Sequence, residues 1–271
     1  MVSINKIDPW GRFFGLFLGK SGHGKTSAAC SWPKSVVIDS DLRIRGALAA
    51  INGWNVHKDV FVETIPPGGT WNQLEKALET ILNDIQKGKS DRKTLVIDSA
   101  TTITRLLRNE GTLLSGGSRK NEYKDERGIM VKSNLAIASP TAYGYESSGL
   151  DELVDILKAI PGINVIFTAH ITERYGKPPG DGNEFAENIV IGERITLRDK
   201  VAENLLIHFD EVYRFEAKES AGKMKHFVNF RSDLARTTFT SLPMKPVEIT
   251  GKDFYTMWKE LSGAPSSPDE K

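Results

Sequence analysis

Residues 19–26 read GKSGHGKT and match the pattern G-x-x-x-x-G-K-[ST] in full. In this pattern, glycines let backbone N–H groups converge on phosphate oxygens, and the helix that follows points its positive end at the same anion. We therefore expect ATP as ligand, with the Lys25 ammonium at the β and γ phosphates and the Thr26 hydroxyl on Mg²⁺. The predicted phosphate-binding residues are Gly19, Lys20, Ser21, Gly22, His23, Gly24, Lys25 and Thr26.

Three further polar residues follow apolar runs that are typical of buried strands. Asp98 follows LVI and is the candidate partner of Thr26 in holding Mg²⁺. Asp41 follows VVIDS, where it would either act on the attacking water, by orienting or deprotonating it, or cap a helix starting near Leu42. His170 follows IFTA and suits a sensor of the γ-phosphate, because polar residues at strand ends line the ligand crevice of such sheets. We expect His23 to shape the loop rather than to perform acid–base chemistry.

Strand-like and helix-like segments alternate along most of the chain. This alternation predicts an α/β fold with a mainly parallel central sheet and helices on both faces. The predicted strands cover residues 12–18, 35–38, 94–97 and 164–169, and a C-terminal β-hairpin covers 211–217 and 226–231. The predicted helices cover residues 25–32, 70–88, 101–114, 150–160 and 252–261. Residues 115–133 and 172–198, rich in turn formers and charge, are expected to be long mobile loops.

Composition excludes several classes of protein. The 271 residues include 36 Lys or Arg and 35 Asp or Glu, so the formal net charge of +1 argues against a strongly basic or disordered chain. A single cysteine, Cys30, excludes an intramolecular disulfide framework and a cysteine-cluster metal site. No apolar run approaches the ~20 residues that span a bilayer, and the first ten residues lack the apolar segment of a secretory signal. We expect a cytoplasmic protein that does not bind membranes.

The motifs together resemble RecA-like P-loop core ATPases, especially the small phage-encoded proteins of single-strand annealing and recombination. GKSGHGKT, LVIDS at 95–99 and IFTAH at 166–170 carry the resemblance, and VVIDSD at 36–41 is a weaker match. That last segment ends in Asp41 where recombinases usually place a catalytic Glu. The resemblance orders residues 12–231 and implies one RecA-like domain over residues 1–262. Residues 263–271, rich in Pro and Ser, are expected to form a disordered tail.

The resemblance also implies partners. Single-stranded DNA would contact the two predicted loops, of which the first has an excess of basic residues and the second does not. The chain would assemble with itself as a ring or filament in the host cytoplasm, with a single-strand-binding protein as a further candidate partner. Arg231 best matches the basic residue that enters a neighbour's ATP site, with Arg236, Lys223 and Lys225 as fallbacks. The candidate DNA-binding residues are Arg119, Lys120, Tyr123, Lys124, Arg127, Arg174 and Lys177.

The leading hypothesis is therefore a DNA-dependent ATPase that promotes annealing or strand exchange, with Lys25, Asp41, Asp98, His170 and Arg231 as its catalytic residues. One alternative keeps the ATPase as a helicase-like or loader enzyme. A second is a small-molecule kinase, which is disfavoured because no arginine-rich lid is evident. A third is a nucleotide-binding regulatory module without meaningful turnover, which the missing Glu keeps open.

Overall fold

A computed structural model describes residues 12–51, 60–65, 69–115, 121–124, 130–133, 140–176, 189–230, 240, 242 and 245–264. The strands are β1 (Phe14–Gly19), β2 (Ser35–Asp39), β3 (Phe61–Thr64), β4 (Thr94–Asp98), β5 (Asn121–Lys124), β6 (Met130–Ser133), β7 (Asn164–Gly176), β8 (Ile189–Ile195), β9 (Glu211–Ser220), β10 (Lys223–Asn229) and β11 (Val247–Glu248). The helices are α1 (Lys25–Cys30), α2 (Ile44–Ile51), α3 (Trp71–Gln86), α4 (Ala100–Leu114), α5 (Pro140–Ala159), α6 (Asp199–Ile207) and α7 (Phe254–Ser262).

Nine of the described strands form one sheet in the order β11-β10-β9-β1-β7-β4-β2-β3, with β8 paired to β7. The six strands from β9 to β3 in this order run parallel, whereas β8, β10 and β11 are antiparallel additions. β7 therefore lies between β1, which leads into the 19–26 motif, and β4, which ends at Asp98. The predicted α/β class, with a mainly parallel sheet and a C-terminal hairpin, is confirmed.

Apolar side chains on the two faces of the sheet pack against different helices. In β1, Leu16 and Leu18 belong to the cluster that includes α3, α4, α5 and α6, whereas Phe17 belongs to the cluster that includes α1, α2 and α7. This follows from the two-residue period of a strand, which sends successive side chains to opposite faces. Both faces are buried because the helices cover them, so the strands read as continuous apolar runs in the sequence.

Local sequence signals set the ends of several helices. Thr70 and Gln73 form the predicted reciprocal capping box at the start of α3. The Asp253 carboxylate accepts a hydrogen bond from the Thr256 amide at the start of α7, and Gly263 ends that helix in the left-handed conformation. In the described ranges, no helix is both long enough and apolar enough to cross a membrane.

The expectation that residues 115–133 and 172–198 are irregular loops is wrong for their described parts. β5 and β6 pair as a small separate hairpin, and β7 continues past its predicted end to pair with β8. Charged and turn-forming residues interrupt the apolar alternation in these segments, so no clear strand signal is present there. The Arg214 guanidinium of β9 contacts the Glu193 carboxylate of β8, which ties the second hairpin to the sheet.

Other elements differ from the prediction in extent. α5 begins at Pro140, ten residues before the predicted helix. The prediction missed its first turns because they carry glycine, serine and tyrosine rather than an apolar stripe. β3, α6 and β11 were not predicted, and the end of the tail, residues 265–271, lies outside the described residues.

Phe17 lies at the centre of an aromatic cluster. Its ring is fully buried and contacts Phe13, Trp32, Tyr213, Phe215 and Phe254. We expect Phe17→Ala to lower the free energy of unfolding by about 3–5 kcal/mol, because the cavity adds to the lost burial. Phe61→Ala on β3 is the matched control, because its side chain is 62% exposed. Urea denaturation measures both; equal losses in the two variants would contradict the packing described.

Candidate functional site

The carboxyl ends of the parallel strands bring the candidate residues to one edge of the sheet. The register pairs Gly19 of β1 with His170 of β7, and Asp39 of β2 with Asp98 of β4. A cleft of about 300 Å³ opens at this edge. Eight residues that the sequence singled out line it, namely Ser21, Gly22, Gly24, Lys25, Thr26, Asp41, Asp98 and His170.

The loop between β1 and α1 has the backbone shape that phosphate binding requires. Gly22 and Gly24 adopt positive φ angles of 80° and 89°, which glycine tolerates best. At Gly19, an added Cβ would lie 2.8 Å from the carbonyl oxygen of Phe215, so only glycine fits against β9. The His23 ring contacts the same carbonyl, with its Nδ1 2.9 Å from the oxygen. This contact anchors the loop, as expected for His23.

Lys25 is nearly fully buried beneath the loop. Its Nζ donates hydrogen bonds to the carbonyl oxygens of Gly19 at 2.8 Å and Lys20 at 2.9 Å. Burial lowers the pKa of Lys25 to about 8, although Asp98 and Asp41 oppose that shift. The ammonium is thus mostly charged at neutral pH, and a bound polyphosphate would favour its charged form further. Lys20 itself forms an ion pair with Glu173 at the rim.

Asp98 and Thr26 form a pair of oxygen ligands beside Lys25. The Thr26 hydroxyl donates to Asp98 Oδ2 at 2.9 Å, and the Thr168 hydroxyl of β7 donates to Oδ1. Burial raises the pKa of the Asp98 carboxyl, while these two hydrogen bonds oppose the shift. A buried carboxylate next to a hydroxyl suits Mg²⁺, which takes oxygen ligands and usually keeps water and phosphate in its remaining positions. Asp98 and Thr26 would hold the ion, which would neutralise phosphate charge.

Asp41 and His170 face each other across the mouth of the cleft. Asp41 Oδ2 lies 2.8 Å from His170 Nε2, and the hydroxyls of Ser99 and Thr102 also donate to this carboxylate. Burial opposes ionisation, but the hydrogen bonds from His170 and Thr102 outweigh it and lower the pKa of Asp41 to about 2. Asp41 is therefore ionised throughout the physiological range.

The alternative role of Asp41 as a helix cap is wrong. The residue that caps α2 is Asp39, whose carboxylate accepts hydrogen bonds from the amides of Arg43 at 3.3 Å and Ile44 at 3.2 Å. The Asp41 carboxylate points instead to α4 and β7. It is thus available to a ligand in the cleft.

The remaining candidate residues lie elsewhere. Arg174 of β7 lines a separate cleft of about 390 Å³ with Glu193 and Arg214, and it does not line the cleft that contains Lys25. Tyr123 and Lys124 belong to β5. Arg119, Lys120, Arg127, Lys177, Arg231 and Arg236 lie outside the described residues. Of the three fallbacks for Arg231, two are described: Lys223 is exposed on β10, and Lys225 pairs with Glu248 at 3.1 Å.

Arg43 is a site residue that the sequence did not single out. It lines the same cleft, and its Nη1 donates to the Ser21 hydroxyl of the loop at 2.7 Å. The only signal was its position two residues after Asp41. Thr168 was also missed, because a threonine within an apolar strand normally indicates strand propensity rather than a ligand contact.

No group of three or more His, Cys, Asp or Glu side chains in the described ranges has the arrangement of a metal site. A magnesium ion held by Thr26, Asp98 and phosphate oxygens needs no such group.

Comparison with known proteins identifies a matching family and solved structures that are similar to this chain. A family model described as an AAA domain matches residues 14–238, which is most of the chain. A KaiC-like protein from the hyperthermophilic archaeon Pyrococcus horikoshii OT3 is similar in structure, with a TM-score of 0.44 at 16% sequence identity over 88% of this chain and 84% of that one. No curated protein matches the chain significantly.

We expect Asp98→Asn to raise the melting temperature of the nucleotide-free protein at neutral pH by about 2–4 °C, the shift that 1 kcal/mol produces in a chain of this size. A carboxyl whose pKa is raised by folding stabilises the folded state only while protonated, so stability falls as the pH rises through that pKa. Asn removes the buried charge, and its advantage should shrink towards pH 4.

Asp91→Asn is the control, because Asp91 is exposed and its pKa is lowered by its hydrogen bond with Lys34. Scanning calorimetry from pH 4 to pH 8 separates the two variants. A fall in the melting temperature of Asp98→Asn at neutral pH would contradict the assignment. The same variant should lose any extra stabilisation that Mg²⁺ gives to the nucleotide-bound protein.

Proposed function

Because the chain belongs to the AAA domain family, a family of P-loop ATPases, we propose that it is a DNA-dependent ATPase that binds single-stranded DNA and promotes annealing or strand exchange in recombination. The observation that carries the ATPase half is the convergence of Lys25, Thr26, Asp41, Asp98 and His170 on one cleft. The DNA half is supported by the sequence resemblance and by the excess of basic residues in 115–133.

Each side chain has a task that its surroundings support. The Lys25 ammonium, already held by two carbonyls of the loop, would neutralise the outer phosphates. Thr26 and Asp98 would hold Mg²⁺, which would neutralise further phosphate charge. Arg43, fixed by the Ser21 hydroxyl, adds a second positive charge at the mouth of the cleft.

Asp41 would orient the attacking water. A carboxylate with a pKa of about 2 accepts a proton poorly, so its contribution is to hold the water in line through a hydrogen bond. His170, on the other side of Asp41, would respond to the γ-phosphate and transmit its presence to the β7–β8 hairpin. The backbone supports this route, because the Thr196 amide next to β8 donates to the His170 carbonyl oxygen at 2.7 Å.

In this proposal, ATP acts as a switch in a homo-oligomer. Arg231 of one copy would enter the ATP site of the next, so an isolated chain would hydrolyse ATP slowly. The cycle would take place in the host cytoplasm, with a single-strand-binding protein as a further partner. DNA would be bound in the ATP state and released after hydrolysis.

The weak basicity of Asp41 favours a second candidate function. If no stronger base approaches the water, the protein would act as a nucleotide-dependent switch with very slow turnover, in which binding rather than hydrolysis changes its state. The two candidates share the same cleft and differ in the rate of phosphate release.

We expect the purified full chain to release phosphate from ATP in a reaction that single-stranded DNA accelerates. Asp41→Asn should lower that rate by at least about 100-fold while nucleotide binding persists, because orienting the water matters in the transition state only. A phosphate-release assay with and without an unstructured strand measures both effects, with Asp91→Asn as the matched control.

Equal rates with and without DNA would remove the DNA-dependence. Equal rates in Asp41→Asn and wild type would remove the role of Asp41, and a wild type with no turnover but tight nucleotide binding would favour the switch. In that case, the affinity for single-stranded DNA should still change on addition of a non-hydrolysable ATP analogue.

A further inference from the structure

A second cleft, of about 820 Å³, lies beside the nucleotide site and shares a wall with it. We call it the arginine cleft; α4, α5, the end of β7 and the segment from β8 into α6 enclose it. Thr101 and Thr102 form the shared wall. On the nucleotide side, Thr102 donates to Asp41, and the Thr101 hydroxyl accepts a hydrogen bond from the His170 amide at 3.2 Å.

The lining of the arginine cleft is strongly cationic although the whole chain is nearly neutral. Its two carboxylates are Glu146 and Asp199, and its five cations are Arg105, Arg108, Arg194, Arg198 and Lys200. Within the described residues, Arg105, Arg108 and Lys200 form no ion pair. Arg194 approaches Asp199 only to 3.9 Å, so these charges are largely free to meet an anion.

The start of α6 adds a backbone contribution to this field. Arg198 is the N-cap residue and no side chain caps the helix, so the first amides of α6 lack a side-chain acceptor. Asp199 and Lys200, the first two helical residues, line the cleft. The positive end of a nine-residue helix therefore faces the same space as the arginines.

Glu146 of α5 carries an independent sign of a ligand. Its side chain is only 2% exposed, and its Oε2 has no hydrogen-bond donor among the described residues. The nearest cation, Arg198 Nη1, lies 3.9 Å away, beyond hydrogen-bond distance. Burying a carboxylate oxygen without a donor is costly, so the site is complete only when a ligand donates to it.

We propose that the arginine cleft binds single-stranded nucleic acid, with backbone phosphates on the arginines and a base N–H donating to Glu146. Free phosphate would satisfy the arginines and leave Glu146 without a donor, whereas a nucleotide strand supplies both groups. The inference rests on the proposed function and gives the strand a place in the described fold.

The shared wall explains how a bound strand would reach the ATP site. Phosphates bound by the α4 arginines would shift the helix that also supplies Thr101 and Thr102. Thr102 hydrogen-bonds the Asp41 carboxylate, and Thr101 hydrogen-bonds the His170 amide. A strand in the arginine cleft would thus adjust the pair that orients the water. No residue in direct contact with the nucleotide needs to touch the strand.

Fluorescence anisotropy of a short labelled oligodeoxycytidylate tests the proposal in the full chain. The double variant Arg105→Gln with Arg108→Gln should weaken binding at least tenfold and reduce the slope of log affinity against log salt by about 0.7 for each lost phosphate contact. Arg92→Gln is the matched control, because Arg92 precedes β4 at the opposite end of the strands. Nucleotide affinity should stay unchanged in all three proteins.

Glu146→Gln provides a second test, because it should change the affinities for two probes differently. It should weaken binding of oligodeoxycytidylate, whose exocyclic amino group is a donor that a carboxylate accepts well. It should leave unchanged or strengthen binding of an abasic strand with the same number of phosphates, since the variant removes a negative charge.

The outcomes separate this inference from the proposed function. If the wild type binds the strand and the arginine variants bind equally well, the arginine cleft is not the site, and the proposed function stands. If the wild type binds Mg-ATP but no strand, both the cleft assignment and the DNA half of the proposed function fail. Tighter binding of polyglutamate than of DNA, lost in the arginine variants, would overturn the inference in favour of an acidic protein partner.

Discussion

Two opposite charges are buried within one cleft without forming an ion pair with each other. Lys25 is 4% exposed and Asp98 is 3% exposed, yet the ammonium is held by backbone carbonyls and the carboxylate by threonine hydroxyls. Burial disfavours the charged form of each, lowering the pKa of one and raising that of the other. Such a pair is costly for the protein alone and is explained by a ligand that brings phosphate to Lys25 and a divalent cation to Asp98.

The architecture of the sheet makes this arrangement possible. Parallel strands end at a common edge, so residues far apart in the chain meet there without long side chains. The strand between β1 and β4 supplies Thr168 to Asp98 and His170 to Asp41, and thereby links the proposed metal ligand to the carboxylate that we propose orients the water. Beyond that edge, the first turn of α4 carries Thr101 and Thr102 in the shared wall, and the next turns carry Arg105 and Arg108 in the arginine cleft. One short helix segment therefore connects two clefts of different chemistry.

Much of the parallel sheet and of the candidate site could be predicted from the sequence, because the residue patterns that mark them are local. The phosphate-binding loop is a contiguous motif, the strands that carry Asp98 and His170 are short apolar runs, and Thr70 with Gln73 marks a helix start. The role of Asp41 was ambiguous, because a carboxylate after a strand reads equally as a cap or a ligand group. Only the structure shows that the Asp39 carboxylate caps α2, whereas the Asp41 carboxylate forms a hydrogen bond with His170.

The arginine cleft could not be predicted, because it depends on contacts between segments that are distant in the sequence. Counting charges within residues 172–198 gave no basic excess, whereas the fold sets Arg194 and Arg198 beside Arg105 and Arg108 of a helix about ninety positions earlier in the sequence. The burial of Glu146 could not be predicted either, because the polar first half of α5 gives no apolar stripe. Pairing of β5 with β6 and of β7 with β8 was not predicted for a similar reason, since neither 115–133 nor 172–198 shows the alternation of apolar and polar residues that marks a strand.

The central claim is that the loop from Gly19 to Thr26 binds a nucleoside triphosphate with Lys25 beneath its outer phosphates. Isothermal titration of the full chain with Mg-ATP measures this directly, with Lys25→Ala and the exposed-site variant Lys34→Ala titrated in parallel. The account predicts saturable uptake by the wild type and by Lys34→Ala, and an affinity at least about 100-fold weaker in Lys25→Ala, as loss of a buried charge contact implies. Absence of uptake by the wild type, or equal affinity in Lys25→Ala, would contradict it.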